Sequence, residues 1–282
     1  MGALDLVSHW PAATVAAAVV EPAGVGATLG PTGGRFRIAS LSKVLTAWAA
    51  LVAVEEGSIG LDAPIVGVAV PPGCTLRHLL AHASGLPFEG DVAIAEVGER
   101  RIYSNTGIER AAEAVAVATD MPFDTYLAEA VLTPLGMSVT EVVGSPAHGV
   151  HSTVDDLSRF LGEMLRPRLL HADTAADAMS VQFPDLDGIV PGVGRFTPCP
   201  WGLGMEIHGA KDPHWMGRDN SPATVGHFGG AGTMMWVDPV ADIGLVALTD
   251  LPFDRWPGTP VLQWRELSDV VLTDFRPGGR GV

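Results

Sequence analysis

Apolar positions along this chain follow two rhythms, a β rhythm at each end and a helical one between. Residues 13–22 run apolar almost without polar interruption, and residues 24–32 are rich in small and β-branched side chains. Pro22-Ala23-Gly24 separates them, a pattern that predicts a hairpin. A short β segment over 36–39 then leads into residues 41–54, whose nearly continuous apolar run predicts a buried helix opened by Ser40. From Leu61 to about Gly194 three- and four-residue spacing dominates. It predicts helices over 76–83, 107–119, 123–132 and 154–165, with Ser152 and Asp155 spaced as a capping box for the last. Beyond Trp201 the β pattern returns over 202–207, 224–237 and, after an Asp238-Pro239 turn, 243–249. An amphipathic helix over 261–275 closes the pattern, and the Gly/Arg-rich tail after Pro277 is expected to fray.

Strands at the two ends must therefore meet in one sheet across a helical middle. This reads as an α/β (α+β) protein with a discontinuous sheet domain, 1–60 and 195–282, and a helical domain, 61–194. The active site is expected in the cleft between them.

Composition narrows the function. A content of 47% hydrophobic against 17% charged residues supports a large ordered core. The formal charge of −15 disfavours nucleic acid and anionic membranes as partners, since both reward basic patches. Cys74 and Cys199 lack any Cys-x-x-Cys spacing, so no disulfide framework and no metal site is expected. The Ala/Val run from Ala12 to Val20 lacks the preceding basic residues of a signal peptide and reads as a buried strand, so a cytoplasmic location is expected. Oligomeric state is not encoded in any pattern here.

Against that background one residue stands out. The chain has only two lysines, and Lys43 lies inside the apolar helix. A buried ammonium must be paired or lose its proton, because burial can lower a lysine pKa by about 3–5 units. Ser40 lies three residues upstream, on the same helical face, which is the arrangement of a hydroxyl nucleophile and its base. Ser42 would point elsewhere. Tyr103-Ser104-Asn105 uses one of two tyrosines and one of two asparagines. A phenol beside a lysine can relay a proton, and an amide can hold both the lysine and a substrate carbonyl. A third stretch, Gly226-His227-Phe228-Gly229-Gly230, places glycines in what otherwise alternates as a strand, as a strand needs when another group approaches its backbone. One N–H from it, with that of Ser40, would make an oxyanion hole. His82 reads as a buried histidine bonded to a loop, and Trp201 and Trp215 as possible pocket walls.

Taken in chain order, Ser40-x-x-Lys43, Tyr103-x-Asn105 and His227-x-Gly229 resemble the serine β-lactamase and penicillin-binding protein superfamily, specifically its class C β-lactamase and EstB-like esterase branch. Residues 79–87 (LLAHASGLP), 149–160, 201–206 (WGLGME) and 226–239 extend the resemblance over most of the chain. It implies a β-lactamase/transpeptidase-like fold, an antiparallel sheet flanked by helices plus an all-helical insert. Ser40 would be the acylated nucleophile and Lys43 its base. Tyr103 would protonate the leaving atom and later activate water, and Asn105 would orient substrate. The N–H groups of Ser40 and Gly230 would form the oxyanion hole, with no metal or cofactor required.

One departure bears on substrate. Penicillin-recognising members usually carry Lys-Thr-Gly where His227-Phe228-Gly229 stands here, so carboxylate recognition should be weak. The expected activity is that of a serine hydrolase on small carboxylic esters, with β-lactamase or D-amino-acid-directed peptidase action as the alternative and a catalytically silent binding protein as a third. The partner is in every case a small-molecule ester, amide or β-lactam.

Overall fold

The computed structural model describes residues 2–276; the tail expected to fray lies outside them. Along the chain, a 3-10 turn (Ala3–His9) precedes β1 (Val15–Glu21) and β2 (Gly24–Leu29), the expected hairpin. After β3 (Phe36–Arg37) and a single 3-10 turn, Ala39–Leu41, comes α1 (Ser42–Glu55). Then follow α2 (Leu76–Leu80), α3 (Asn105–Thr119), α4 (Phe123–Leu127), β4 (Glu141–Val142), β5 (Val150–Ser152), α5 (Val154–Leu165) and α6 (Ala172–Ala178). The chain ends with β6 (Gly188–Val190), β7 (Gly194–Phe196), β8 (Glu206–Ile207), β9 (Val225–Gly229), β10 (Thr233–Asp238), β11 (Ile243–Thr249) and α7 (Val261–Phe275).

The main sheet is antiparallel in the order β2-β1-β11-β10-β9-β8. Its central strands are buried on both faces, which is why they read as apolar runs rather than as alternation. In β1, Ala16, Ala18 and Val20 pack toward α1 and α5, while Ala17 and Val19 pack toward α7. The same division sets Val246 and Leu248 of β11 against Leu245 and Ala247. α1 is buried around most of its circumference and runs through the centre of the larger core. A helix apolar on all sides has no other stable place.

The helix expected over 76–83 ends at Leu80 and the strand expected over 202–207 is only Glu206–Ile207, and four further expectations about the architecture change. The segment 224–237 is not one strand but the hairpin β9–β10, because Gly232 takes φ +79 and its N–H closes the turn on Gly229 O at 2.9 Å. Helix α5 is capped by Thr153, whose hydroxyl accepts the Asp156 N–H at 3.0 Å, and Ser152 is instead the last residue of β5. The region 61–194 is not all-helical: β4 and β5 join β3 in a three-stranded sheet, and β6–β7 begins a small hairpin. Finally, α5 covers the main sheet, against β1 and β11, with Leu161 seated over Gly244 where a Cβ would meet it at 3.3 Å. Strands of two or three residues carry no readable periodicity, and the apolar stripe of α5 does not name the surface it covers.

Candidate active site

Ser40 sits in the 3-10 turn just before α1, not on the α-helix itself. Ala39 before it is held at φ 48, a left-handed conformation that costs a non-glycine residue about 1–3 kcal/mol unless its surroundings fix it. They do. Ile38 N–H donates to Val150 O at 3.0 Å, and Thr233 Oγ1 donates to Ile38 O, also at 3.0 Å. Strand β9 closes from the other side. A Cβ on Gly229 would lie 2.5 Å from Ile38 O and 2.5 Å from Thr233 Oγ1, and 3.1 Å from Ala39 Cβ. Gly229 is therefore required by the close approach of the sheet to the Ser40 turn. Gly229→Ala is expected to lower kcat/KM by about 10²-fold while the protein stays folded, the size of effect that a misplacement near 1 Å produces. Steady-state kinetics beside circular dichroism checks it.

Ser42 is poorly placed as a nucleophile. Its hydroxyl donates to Ala39 O at 2.6 Å and accepts the Val150 N–H at 3.2 Å, behind the turn.

Lys43 is fully buried, and its Nζ has three neighbours: Asn105 Oδ1 at 2.7 Å, Ala147 O at 2.9 Å and Ser40 Oγ at 3.2 Å. No carboxylate is among them. Asn105 Oδ1 and Ala147 O can only accept, so each takes an N–H of Lys43, and Ser40 Oγ is placed to accept from the ammonium or to face the lone pair of the amine. Burial lowers the Lys43 pKa from 10.5 to about 7, against a smaller upward pull from Glu109. Glu109 lies one turn beyond Asn105 on α3 and accepts a hydrogen bond from Ser145, in the loop that supplies Ala147 O. Glu109→Gln keeps that hydrogen bond and removes the charge. The pH limb of activity due to Lys43 is then expected to move to lower pH, as a kcat/KM profile would show.

Lys211, the second lysine, makes the contrast. It is also buried, but its ammonium lies 2.9 Å from Glu206 Oε1 and 3.0 Å from Pro200 O. Glu206 further receives His214 at 2.7 Å and the Trp215 indole N–H at 2.7 Å, forming a buried ionic cluster beside β9. Its carboxylate is held far below the usual range. Desolvation opposes that shift, and the Lys211 and His214 partners outweigh it.

Tyr103 is carried by the loop between α2 and α3, and His82 brackets it. The Ile102 N–H donates to His82 O at 2.9 Å and the Ser104 N–H to His82 Nδ1 at 3.2 Å. An imidazole that accepts at Nδ1 is neutral with its proton on Nε2, in agreement with a pKa held well below normal by burial and by Lys43. Arg101 anchors the same loop with a buried guanidinium that donates to Cys199 O at 2.7 Å and Gln182 O at 2.7 Å. Ser104 then caps α3, its hydroxyl accepting the Gly107 N–H at 2.8 Å, and so starts the helix at Asn105 rather than Gly107. The Tyr103 side chain lines the same cavity as Ser40, and its ring lies 4.8 Å from Lys43 Nζ. Burial raises its pKa well above the normal 10, so it is a neutral phenol at pH 7.

These groups open on a cavity of about 240 Å³ lined by Ser40, Tyr103, His227 and Gly230 together with apolar walls. Among the tryptophans, Trp201 lines it. Trp215 does not, being buried beneath Glu206 in the core on the α7 side. All of Ser40, Lys43, Tyr103, Asn105, His227, Gly229 and Gly230 thus converge on one place. The sequence reading had missed Glu206, Lys211 and Arg101 as supports, Glu109 beside Lys43, and Phe88, Val190 to Gly192 and Phe253 as walls. Only Glu206 had a signal, its place inside WGLGME.

Comparison with known proteins identifies the family and the fold. The Beta-lactamase family model matches residues 14–259. The crystal structure of a beta-lactamase from Mycobacterium bovis is 48% identical over 98% of this chain and 100% of that one, with a TM-score of 0.93. The D-alanyl-D-alanine-carboxypeptidase/endopeptidase AmpH of Escherichia coli K12 is 25% identical, covering 78% of this chain and 72% of the relative. Simvastatin synthase from Aspergillus terreus, at 16% identity and a TM-score of 0.78 over 96% of each chain, shares the fold. This chain belongs to the beta-lactamase family and has its β-lactamase/transpeptidase-like fold.

Proposed function

We propose that this member of the beta-lactamase family is a serine hydrolase that works through an acyl-enzyme and acts most readily on small carboxylic esters. The observation that carries the proposal is the set of three neighbours around buried Lys43 Nζ, none of them a carboxylate and one of them Ser40 Oγ at 3.2 Å; with its pKa brought to about 7 by burial, the neutral form of Lys43 can turn its lone pair to Ser40. In this reading Lys43 takes the Ser40 proton as Oγ attacks the ester carbonyl. The N–H groups of Ser40 and Gly230 hold the oxyanion, and Asn105 orients substrate. Tyr103, neutral and lining the cavity with Ser40, passes a proton to the leaving oxygen. The same phenol assists water in the second half-reaction, which returns Ser40 and releases the acid.

Ester over lactam is favoured by the third motif. His227 is buried, and its pKa is lowered to about 3 by burial and by Lys43, so the cavity holds no cation there to pair with a carboxylate. The names of the Mycobacterium bovis and Escherichia coli relatives, a beta-lactamase and a D-alanyl-D-alanine-carboxypeptidase/endopeptidase, favour a second reading, hydrolysis of a β-lactam or of a D-alanyl peptide. Intact-mass spectrometry after exposure to p-nitrophenyl acetate and to a chromogenic cephalosporin decides. An acetyl adduct on Ser40 with ester turnover the faster supports the first reading, cephalosporin turnover the faster supports the second, and a folded protein that forms no adduct with either refutes both.

No helix among the described residues is long and apolar enough to cross a membrane. A cytoplasmic location is part of this proposal, as is the absence of nucleic-acid and membrane partners.

A further inference from the structure

Two residues that line the cavity at Ser40 carry a buried polar atom without a protein partner: His227 at Nε2 and Trp201 at Nε1. Both are almost completely buried, at 3% and 2% exposure. Buried polar atoms in native proteins are nearly always bonded, so an orphan at a cleft calls for an explanation. The hydrogen-bonding sense of each atom follows from the chemistry around it. His227 Nδ1 lies 2.7 Å from Phe228 O, which can only accept, so Nδ1 carries the proton and Nε2 presents a lone pair. Trp201 Nε1 can only donate. Their rings stand 5.8 Å apart, and each lies within 6 Å of the Tyr103 ring, at 5.7 and 5.9 Å. No arginine or lysine lines this cavity, whose other walls include Phe88, Val190, Phe228 and Phe253.

From this pairing of one acceptor with one donor, we infer that the cavity holds a subsite for an uncharged group that both donates and accepts a hydrogen bond, a hydroxyl or a carboxamide, on the leaving-group side of the ester. A carboxylate would meet the His227 lone pair with nothing to neutralise it. A purely apolar leaving group would leave both orphans unsatisfied. The assignment of the leaving-group side rests on the proposed function, in which Tyr103 delivers the proton to the departing oxygen.

Four matched acetates test the subsite: propyl, 2-hydroxyethyl, carbamoylmethyl and carboxymethyl acetate, each kcat/KM being divided by the rate of alkaline hydrolysis. The wild-type protein is expected to favour the hydroxyethyl and carbamoylmethyl esters over the propyl ester by about 10–100-fold, with the carboxymethyl ester lowest. In His227→Phe, and in Trp201→Phe, which keeps an aromatic wall and loses the N–H, that preference should shrink toward unity. His227→Lys should raise the carboxymethyl ester above the other three. A wild-type ratio near unity overturns the subsite without reference to any variant, as does an unchanged ratio in folded His227→Phe. Labelling of Ser40 by a fluorophosphonate is measured alongside. A flat ratio in protein that labels rejects the subsite alone, whereas absence of labelling rejects the hydrolase reading and the subsite with it.

Discussion

Lys43→Met is expected to lower the rate of Ser40 acylation by about 10³–10⁴-fold, the upper range of what one positioned base contributes. Methionine keeps most of the stem volume in a site with no room to spare and removes only the amine. Asn105 Oδ1 and Ala147 O lose their donor, and Ser40 loses the nitrogen 3.2 Å away. The variant also carries a signature in stability. The unfolded lysine titrates near 10.5 and the folded one near 7, so between these values the unfolded chain binds more protons than the folded one. Wild-type stability relative to Lys43→Met must then rise as pH rises through that window. The cost of the buried charge is fully present below about pH 7, where the folded protein is protonated as well. Urea unfolding of both proteins at pH 6 and pH 9 measures the difference, and a gap independent of pH would contradict the lowered pKa.

Ser40→Ala should abolish turnover, with a loss of at least about 10⁴-fold, and should remove every covalent adduct seen by intact mass. The alanine side chain fits the turn without strain beyond what Ala39 already carries, and Lys43 keeps its other two partners. Folding and thermal stability are therefore expected to stay near wild type. That separates loss of the nucleophile from loss of the fold. An adduct that persisted in Ser40→Ala would place the nucleophile elsewhere; Ser42, bonded at the rear of the turn, is the nearest competitor and is poorly placed for it.

Much of this site was legible because its residues violate their surroundings. A lysine in an apolar helix has to be explained by a partner or by proton loss, and the i, i+3 spacing named Ser40 as the neighbour. The spacing argument survived even though Ser40 lies on a 3-10 turn, since one residue of tighter winding still leaves the two side chains in contact. The glycines of the third motif announced a close approach, and Gly229 against Ile38 O is that approach. Their position at the end of β9 was not legible, because alternation continues through the hairpin turn as though it were strand. The Glu206 cluster was hidden for a different reason. Its members Lys211, His214 and Trp215 follow at no regular period and meet only because the loop before β9 folds back on itself. Arg101 was equally silent, since its partners Gln182 and Cys199 are backbone carbonyls from distant segments, and side-chain identity carries no information about carbonyls.

The central claim is that Ser40 is activated by a lysine kept neutral by burial, and one profile tests it directly: the second-order rate of Ser40 labelling by a fluorophosphonate against pH. Histidines 82 and 227 are held neutral and Tyr103 is pushed far above the range, so a single group should govern the curve between about pH 5 and 9. The account requires labelling to rise with pH through a limb near 7 and to level above it, with the limb lost in Lys43→Met. A rate indifferent to pH over that range, or an identical limb in Lys43→Met, would contradict it.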